Sequence, residues 1–302
     1  MRAIGLWNIS EIDNGCFTLR HPLFPAERCA EALADSRAFF ELPVEAKQAL
    51  AIEGSPHFRG YSEMRNERDW REQIHLGREE PAQGGGPAYM QLCGPNRWPE
   101  DSRWRARVQR LMADLESAGR EILAELGARL GLPEAQFLGV TEEPYLLLKM
   151  ICYQPTGTAA PRSGVAPHVD FSWITLLIQD DTGGLEMRSR GGDWVAVPPQ
   201  PGALVVNAGE ILEFASRGHY RATPHRVVNR SGTRARLSLP FFLNPALCSP
   251  VRWAPVAGSG ERVADGEHVH RVFSGNEREF VFGEEEWKRK GLGNWCGECA
   301  SG

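Results

Sequence analysis

The sequence lacks several features that would restrict its class. No apolar run approaches the roughly 20 residues needed to cross a bilayer, and residues 1–10 contain no sustained apolar stretch of signal-peptide length. Basic clusters are also missing, and 34 Lys and Arg against 39 Asp and Glu give a formal net charge of −5. This mild acidity gives no electrostatic footprint for nucleic acid or an anionic membrane. We therefore expect a cytoplasmic protein with neither partner.

A disulfide framework is not expected either. The chain has seven cysteines, an odd number scattered along its length, and without an export signal reduced thiols fit better than disulfides. Cys296 and Cys299 have the spacing of a redox or zinc motif, but they lie in a glycine-rich tail without a second pair. An inert tail is the simpler interpretation, and the sequence leaves its role open.

Before residue 145 the pattern is mainly helical. Hydrophobic residues make up 42% of the chain and charged residues 24%, which is ordinary for a globular protein with one large core. A short strand is expected at 16–19 and a helix from about Pro25, which is interrupted at Leu42-Pro43. A long helix is predicted over 102–130, where apolar residues repeat at helical spacing up to Gly131.

After residue 145 the pattern changes to short apolar runs separated by turn residues. We predict strands at 146–153, 173–178, 184–187, 194–197, 203–206, 225–228 and 234–242. Many short strands favour a sandwich or barrel, and we predict a mainly β fold with a helical annex. Its core would be a double-stranded β-helix, or jelly roll, over 145–247. An N-terminal α/β region (1–144, mostly helical) and a C-terminal extension (248–302) would complete one integrated catalytic unit.

Three residues form a candidate metal site. In His168-Val-Asp170, residues two apart on a strand would point to the same face, so that His168 and Asp170 converge. His225, from a distant predicted strand, would complete a set of two histidines and one carboxylate. This set occupies one face of an octahedron and suits Fe(II), and it leaves positions open for a co-substrate and dioxygen.

The residues after His225 predict a hairpin. The segment 229–233 has strong turn chemistry and separates two apolar runs. With the turn centred in this segment, His225 faces Ser238 and Val227 faces Arg236, and all four side chains share one face. A guanidinium beside a metal ligand suits a dicarboxylate such as 2-oxoglutarate, because its planar donors match carboxylate oxygens.

An ordered series of motifs now identifies a family resemblance. The chain resembles the isopenicillin N synthase-like, Fe(II)- and 2-oxoglutarate-dependent oxygenases over roughly residues 146–247, with a fainter resemblance near 14–50. The motifs that carry the resemblance are Pro167-His-Val-Asp-Phe-Ser-Trp-Ile-Thr-Leu-Leu177, Asp181-Thr-Gly-Gly-Leu185, Trp194-Val-Ala-Val-Pro-Pro199, Pro201-Gly-Ala-Leu-Val-Val-Asn207, His225-Arg-Val-Val228 and Arg236-Leu-Ser238.

The resemblance implies a reaction and a set of roles. It implies an enzyme that uses Fe(II), 2-oxoglutarate and O2 to hydroxylate, desaturate or cyclise a small soluble substrate, with release of succinate and CO2. Candidate substrates are amino-acid-like or natural-product acids. By resemblance, iron is bound by His168, Asp170 and His225, and the distal carboxylate of 2-oxoglutarate is bound by Arg236 and Ser238, with a further contact from Tyr153.

Candidate substrate residues follow from strand parity. Lys149, Ile151 and Tyr153 share one face of their strand, so Lys149 could anchor an anionic group of the substrate. By the same parity Phe242 follows Ser238 inward and could form an apolar wall. Arg59 and His75, in the N-terminal region, are weaker candidates for residues that cover the site.

Two alternatives remain open from the sequence. Plant members of the family usually have an Asn where this chain has Ile151, so an iron oxidase of the same fold that does not use 2-oxoglutarate is one of them. A non-catalytic small-molecule binding protein is the other, although all three metal ligands are present. The oligomeric state and the substrate are not determined by the sequence.

Overall fold

The computed structural model describes residues 15–132, 143–157, 160–255 and 279–290. Within these ranges it contains thirteen strands and five α-helices, together with short 3-10 helices at 52–54 and 88–92. The strands are β1 (Cys16–Leu19), β2 (Gly60–Arg65), β3 (Trp70–Gly77), β4 (Leu146–Tyr153), β5 (Arg162–His168), β6 (Ile174–Gln179), β7 (Leu185–Arg188), β8 (Trp194–Ala196), β9 (Leu204–Ala208), β10 (His225–Asn229), β11 (Arg236–Leu243), β12 (Pro250–Arg252) and β13 (Glu279–Val281). The helices are α1 (Ala26–Phe40), α2 (Val44–Gln48), α3 (Ser102–Arg129), α4 (Glu210–Ala215) and α5 (Phe282–Arg289).

Two antiparallel sheets form the core. The major sheet has seven strands in the order β1-β9-β6-β11-β4-β3-β2, and the minor sheet has four in the order β5-β10-β7-β8. The short strands β12 and β13 form a separate pair. The interleaved chain order of the two sheets is that of a jelly roll, so the predicted fold class is confirmed.

The alternation of side chains along β4 separates two hydrophobic layers. Leu148, Met150 and Cys152 belong to the larger cluster, which includes the buried residues of α1 and α3. Ile151 and Tyr153 point the other way into a smaller cluster with residues of the minor sheet. The cavity described below therefore lies between the two sheets, while the helices support the outer face of the major sheet.

The long helix α3 matches its predicted limits. It runs from Ser102 to Arg129, and the Asp101 carboxylate caps it by accepting hydrogen bonds from the backbone amides of Arg103 and Trp104. Its buried face carries the apolar residues that repeat at helical spacing. Within the described ranges, no helix of the structure combines the length and apolarity needed to cross a membrane.

Five strands, β2, β3, β5, β12 and β13, were not among those predicted from the sequence, and β2 and β3 affect the site most. β2 and β3 lie at the edge of the major sheet, where β3 pairs with β4. The alternation of apolar and polar residues that indicates a strand is not visible in the sequence of β3, because polar residues such as Glu72 and Gln73 occupy buried positions there. The segment before residue 145 therefore contributes three strands to the major sheet in addition to its helices.

The predicted hairpin between β10 and β11 is wrong. β10 pairs with β5 and β7 in the minor sheet, whereas β11 pairs with β4 and β6 in the major sheet. The connection between them bonds to another loop, since the carbonyls of Ser231 and Gly232 accept hydrogen bonds from the amides of Thr156 and Gly157 at 3.0 and 3.2 Å. The turn residues therefore belong to a connection between the two sheets and not to a hairpin. The expected pairs of His225 with Ser238 and Val227 with Arg236 do not form, although all four side chains line the cavity between the sheets.

Candidate active site

Three potential metal ligands converge at one end of the cavity. The Nε2 atoms of His168 and His225 each lie 3.6 Å from Asp170 Oδ1, and the three ligand atoms all lie within 4.8 Å of one another. His168 is the last residue of β5 and pairs with His225 on β10. Asp170 lies beyond the end of β5, so the turn after the strand, rather than strand parity, brings its carboxylate to the histidines.

Backbone hydrogen bonds orient both imidazoles. His168 Nδ1 lies 2.9 Å from the carbonyl oxygen of Ala166, and His225 Nδ1 lies 3.0 Å from that of Thr223. With each Nδ1–H donating to a carbonyl, the lone pair is on Nε2, the atom that faces Asp170. Both rings are therefore held in the tautomer that a metal ligand requires.

The Asp170 carboxylate is held by two residues of the major sheet. Its Oδ2 accepts a hydrogen bond of 2.6 Å from Thr175 Oγ1 on β6 and one of 2.9 Å from Asn207 Nδ2 on β9. Thr175 and Asn207 are paired in the sheet register. This arrangement fixes Oδ2 and leaves Oδ1 directed at the histidines.

The protonation states also suit a cation. Burial opposes ionisation of Asp170, but the two histidines and the hydrogen bonds from Thr175 and Asn207 outweigh it and lower its pKa to about 2. Partial desolvation in the cavity, where the His168 side chain remains 41% exposed, and the adjacent His225 lower the pKa of His168 to about 4. At neutral pH Asp170 is thus a carboxylate and His168 is neutral, as metal coordination demands.

The donor set fits Fe(II) in octahedral coordination. Two nitrogens and one carboxylate oxygen form the facial set that suits this ion and leaves three positions for other ligands. With metal–ligand bonds of about 2.1 Å, adjacent donors on an octahedron lie about 3 Å apart, close to the separation of 3.6 Å found here. A small contraction of the side chains around an ion would close the difference.

A buried arginine lies further along the same cavity. Arg236 is 1% exposed, and its guanidinium stacks on the Tyr153 ring with 4.9 Å from Cζ to the centroid. Its Nε donates to the carbonyl of Gly183 at 2.6 Å, and its Nη2 donates to Gln179 Oε1 at 3.1 Å. Its Nη1 has no hydrogen-bond partner among the described residues. A buried guanidinium nitrogen without an acceptor can bind an anionic oxygen.

Tyr153 and Ser238 lie beside this arginine. Tyr153 pairs with Arg236 in the sheet register, and Ser238 is two residues along β11 on the same face. The Tyr153 ring packs on Gly164 of the minor sheet, where a Cβ atom would lie only 2.6 Å from Tyr153 Cδ1. The glycine therefore permits the close approach of the two sheets at this end of the cavity.

Lys149, Ile151 and Phe242 line the same cavity, as strand parity predicts. Lys149 Nζ lies 4.9 Å from the centroid of the Phe242 ring and has no hydrogen-bond or ion-pair partner within the described ranges. Burial, followed by repulsion from Arg71 and Lys290, lowers the pKa of Lys149 to about 8. Ile151 presents an apolar surface beside Ser238, with which it is paired.

Arg59 and His75 occupy different positions from these residues. Arg59 is fully buried away from the cavity, where it donates to Tyr145 Oη and to the carbonyl of Leu92, both at 3.1 Å. The structure therefore does not bring Arg59 to the candidate site. His75 lies on β3 beside Lys149 but does not itself line the cavity.

Three residues at the site were not assigned from the sequence. Thr175 and Asn207 lie within the quoted motifs. Each is a polar residue inside or at the end of an apolar strand, and this pattern could have identified them as site residues. Arg71 lines the cavity from β3. It could not be found from the sequence, because β3 itself was not predicted.

Family models match two parts of the chain. Residues 144–245 match the 2OG-Fe(II) oxygenase superfamily. Residues 12–101 match the family described as non-haem dioxygenase in morphine synthesis N-terminal. The first range contains β4 to β11 and all three candidate metal ligands.

Individual relatives extend over most of the chain. A 2-oxoglutarate-dependent dioxygenase of Gibberella zeae is 33% identical and covers 77% of this chain and 68% of its own. A homoarginine-6-hydroxylase of Oryza sativa subsp. japonica is 31% identical, covering 78% of this chain and 77% of its own. The crystal structure of a 2OG-Fe(II) oxygenase family protein from Caulobacter crescentus has 26% identity and a TM-score of 0.77, covering 93% of this chain and 91% of its own.

Proposed function

The chain belongs to the isopenicillin N synthase-like family of 2-oxoglutarate/Fe(II)-dependent dioxygenases, and we propose that His168, Asp170 and His225 bind its iron. Its reaction class is that of the family: oxidation of a small-molecule substrate with Fe(II), 2-oxoglutarate and O2. We further propose that Arg236, with Ser238 and Tyr153 beside it, binds the distal carboxylate of 2-oxoglutarate.

One observation carries these assignments. The three ligand residues line one cavity between the sheets together with Arg236, whose Nη1 has no partner among the described residues. A dicarboxylate that chelates a metal at the histidine end can thus place its other carboxylate against the guanidinium. The neutral hydroxyl of Ser238 lies between these two ends of the cavity and can add a hydrogen bond.

When bound, iron and 2-oxoglutarate supply the activation of dioxygen, and 2-oxoglutarate is converted to succinate and CO2. The protein supplies binding and orientation. Thr175 and Asn207 hold the Asp170 carboxylate. The carbonyls of Ala166 and Thr223 hold the two imidazoles. Gly183 and Gln179 hold the Arg236 guanidinium. The apolar side chains around the cavity restrict water near the reacting groups.

The substrate end of the cavity is lined by Lys149, Ile151 and Phe242. The cavity has a volume of about 290 Å³, at the small end for ligand sites, and it must also hold 2-oxoglutarate. A small substrate follows from this size. Hydroxylation is the proposed outcome, in keeping with the reaction named for the rice relative.

The test is an anaerobic titration of apoprotein with Fe(II) and then 2-oxoglutarate, followed by the visible charge-transfer absorption of the chelated keto acid. We expect the band in the wild type. In Arg236→Leu, the loss of a charge-assisted hydrogen bond should weaken the affinity for 2-oxoglutarate about 10- to 100-fold. Arg234→Leu is the matched control, since Arg234 is exposed and pairs with Asp181 instead.

Three other outcomes would each be decisive. Iron binding without the band would favour the oxidase that does not use 2-oxoglutarate. Equal loss of affinity in Arg236→Leu and Arg234→Leu would contradict the assignment of Arg236. Retention of full iron affinity in His225→Ala would contradict the metal site.

A further inference from the structure

The charged groups that line the cavity are unbalanced. Asp170 is directed to the metal and Arg236 to the co-substrate. The remaining charged side chains that line the cavity are those of Arg68, Arg71 and Lys149 against the single carboxylate of Asp69. Arg68 is exposed to solvent, so Arg71 and Lys149 against Asp69 leave an excess of one positive charge in the less exposed part of the cavity. This excess is unfavourable in a cavity with apolar walls unless an anion enters.

Arg71 is only partly neutralised. Its Nη1 lies 3.2 Å from Asp69 Oδ1, and its Nη2 has only the sulfur of Met64 at 3.5 Å. Its Nε is buried without a hydrogen-bond partner among the described residues. The side chain is 12% exposed, so solvent does not replace the missing acceptors. Arg71 therefore has donor capacity that the protein itself does not use.

The sheet register places Arg71 on the same face as Lys149. β3 and β4 are antiparallel neighbours in which Gln73 pairs with Ile151 and His75 pairs with Lys149. Because cross-strand partners share a face, Arg71, Gln73 and His75 flank the cavity side of β4. Arg71 and Lys149 both line the cavity, and repulsion from Arg71 contributes, after burial, to the lowered pKa of Lys149.

A row of unpaired polar atoms follows this face of β3. Besides Arg71 Nε, the Oε1 of Gln73 and the Nε2 of His75 are buried without partners in the described part of the chain. Three such atoms on alternate residues of one strand are unusual, because buried polar groups in native proteins are nearly always satisfied. Of these three residues only Arg71 lines the cavity, so Arg71 is the one that a polar ligand in the cavity can contact.

We propose that Arg71 and Lys149 together bind a carboxylate of the substrate, so that the enzyme oxidises a small organic acid. The apolar part of the acid lies along Phe242 and Ile151, towards the metal ligands. This inference rests on the proposed function, since it takes the oxidised carbon to lie at the metal. It narrows the candidate substrates to acids that are held by a carboxylate, and it adds a second cation, Arg71, to the candidate residue Lys149.

Binding can be measured without turnover. The protein is loaded with Zn(II) in place of iron and with saturating 2-oxoglutarate, which occupies Arg236. Matched acids and primary amides are then titrated by calorimetry: phenylacetate, 3-phenylpropanoate and hexanoate, each against its amide. We expect at least one of the acids to bind about 10-fold or more tightly than its amide, because only the acid forms charge-assisted hydrogen bonds.

Variants assign this preference to the two residues. Lys149→Met and Arg71→Leu should each reduce the preference for the acid towards unity, with little change in the affinity of the amide. Lys149→Arg should retain the preference. Arg110→Gln, an exposed position on α3, is the control and should behave as wild type.

A thermal measurement separates binding from a structural role. Removal of a partly buried cation without a partner should raise the melting temperature of Lys149→Met in the absence of an acid, whereas loss of a structural contact would lower it. Equal affinity for every acid and its amide would overturn the proposal, as would a preference that persists in both variants. If Arg71→Leu still shows the 2-oxoglutarate charge-transfer band, its metal and co-substrate sites are intact. Either of these two results then contradicts the substrate proposal and leaves the proposed function unaffected.

Discussion

At the scale of single residues, the orientation of Asp170 depends on two neutral neighbours. Thr175 and Asn207 both donate to Oδ2, the oxygen that does not face the histidines. If either donor is lost, the carboxylate is free to rotate and its pKa rises, because these hydrogen bonds favour the charged form. Partners of this kind tune a metal site through its ligands rather than by contact with the ion.

Replacement of Thr175 by valine should weaken iron binding. The side chain keeps its shape and loses only the donor, so we expect a loss of about 10- to 100-fold in Fe(II) affinity, measured by anaerobic competition with a chelator. Thr18→Val on β1 is the control, since Thr18 lies on the same sheet away from the metal ligands. Unchanged affinity in Thr175→Val would show that Asn207 alone suffices to orient Asp170.

Glu213 of α4 should make stability depend on pH. Burial raises its pKa from 4.5 to about 7, and the carboxyl is buried beside the segment that leads to His225. A raised folded-state pKa contributes stability that is complete below the unfolded-state pKa and is lost as pH rises through the folded-state pKa. The loss from this group between pH 4.5 and pH 7 is about 3 kcal/mol.

Glu213→Gln removes this titration. Its Oε1 can still accept the hydrogen bond that the Ala222 amide donates to Glu213 at 3.2 Å. We expect the variant to be more stable than wild type at pH 8 and to lose that advantage at pH 5, as measured by urea unfolding at both values. A stability difference that does not change with pH would contradict the raised pKa.

At the scale of elements, β3 is polar on both faces for different reasons. On the face away from the cavity, Glu72 accepts hydrogen bonds from Lys47 Nζ at 2.6 Å, from Tyr61 Oη at 2.8 Å and from Gln154 Nε2 at 2.5 Å. These donors come from α2, from β2 and from the residue after β4. The carboxylate therefore joins the edge of the major sheet to the helical region.

Disruption of this ion pair should be costly from either side. Lys47 and Glu72 have side chains only 8% and 2% exposed, so removal of one partner leaves a buried charge. We expect Glu72→Gln or Lys47→Met to lower the free energy of unfolding by about 3 kcal/mol each, and the double variant to cost less than their sum. Urea unfolding measures all three. Glu63→Gln, whose carboxylate is 39% exposed beside Arg65, should change stability by less than about 1 kcal/mol.

The elements also show which features the sequence determines. The period of two along a strand is local, and it correctly placed Lys149, Ile151 and Tyr153 on one face. The choice of sheet is not local. The segment 229–233 has turn chemistry that is compatible with a hairpin, but its backbone bonds to residues 156–157 and the strands on either side of it join different sheets. Arg71 could not be predicted as a site residue for the same reason, because β3 is recognisable as a strand only from the strands with which it pairs.

At the scale of the whole molecule, the candidate metal site bridges the two sheets. His168 and His225 are on β5 and β10 of the minor sheet, whereas Asp170 is held by residues on β6 and β9 of the major sheet. An ion bound by all three therefore connects the sheets at one end of the cavity. At the other end Tyr153 packs on Gly164 without any ion, so the two ends differ in what holds the sheets together.

Metal binding should therefore stabilise the minor sheet more than the rest of the protein. At a concentration of Zn(II) of about 100 times its dissociation constant, the folded state gains about 2.7 kcal/mol, and amide exchange should slow most in β5 and β10. Exchange in α3 should change less, because this helix packs on the opposite face of the major sheet. Hydrogen–deuterium exchange with and without Zn(II) measures the difference, and His225→Ala, which lacks one ligand, should show neither effect. Uniform slowing in all elements would mean that the ion stabilises the fold without connecting the sheets locally.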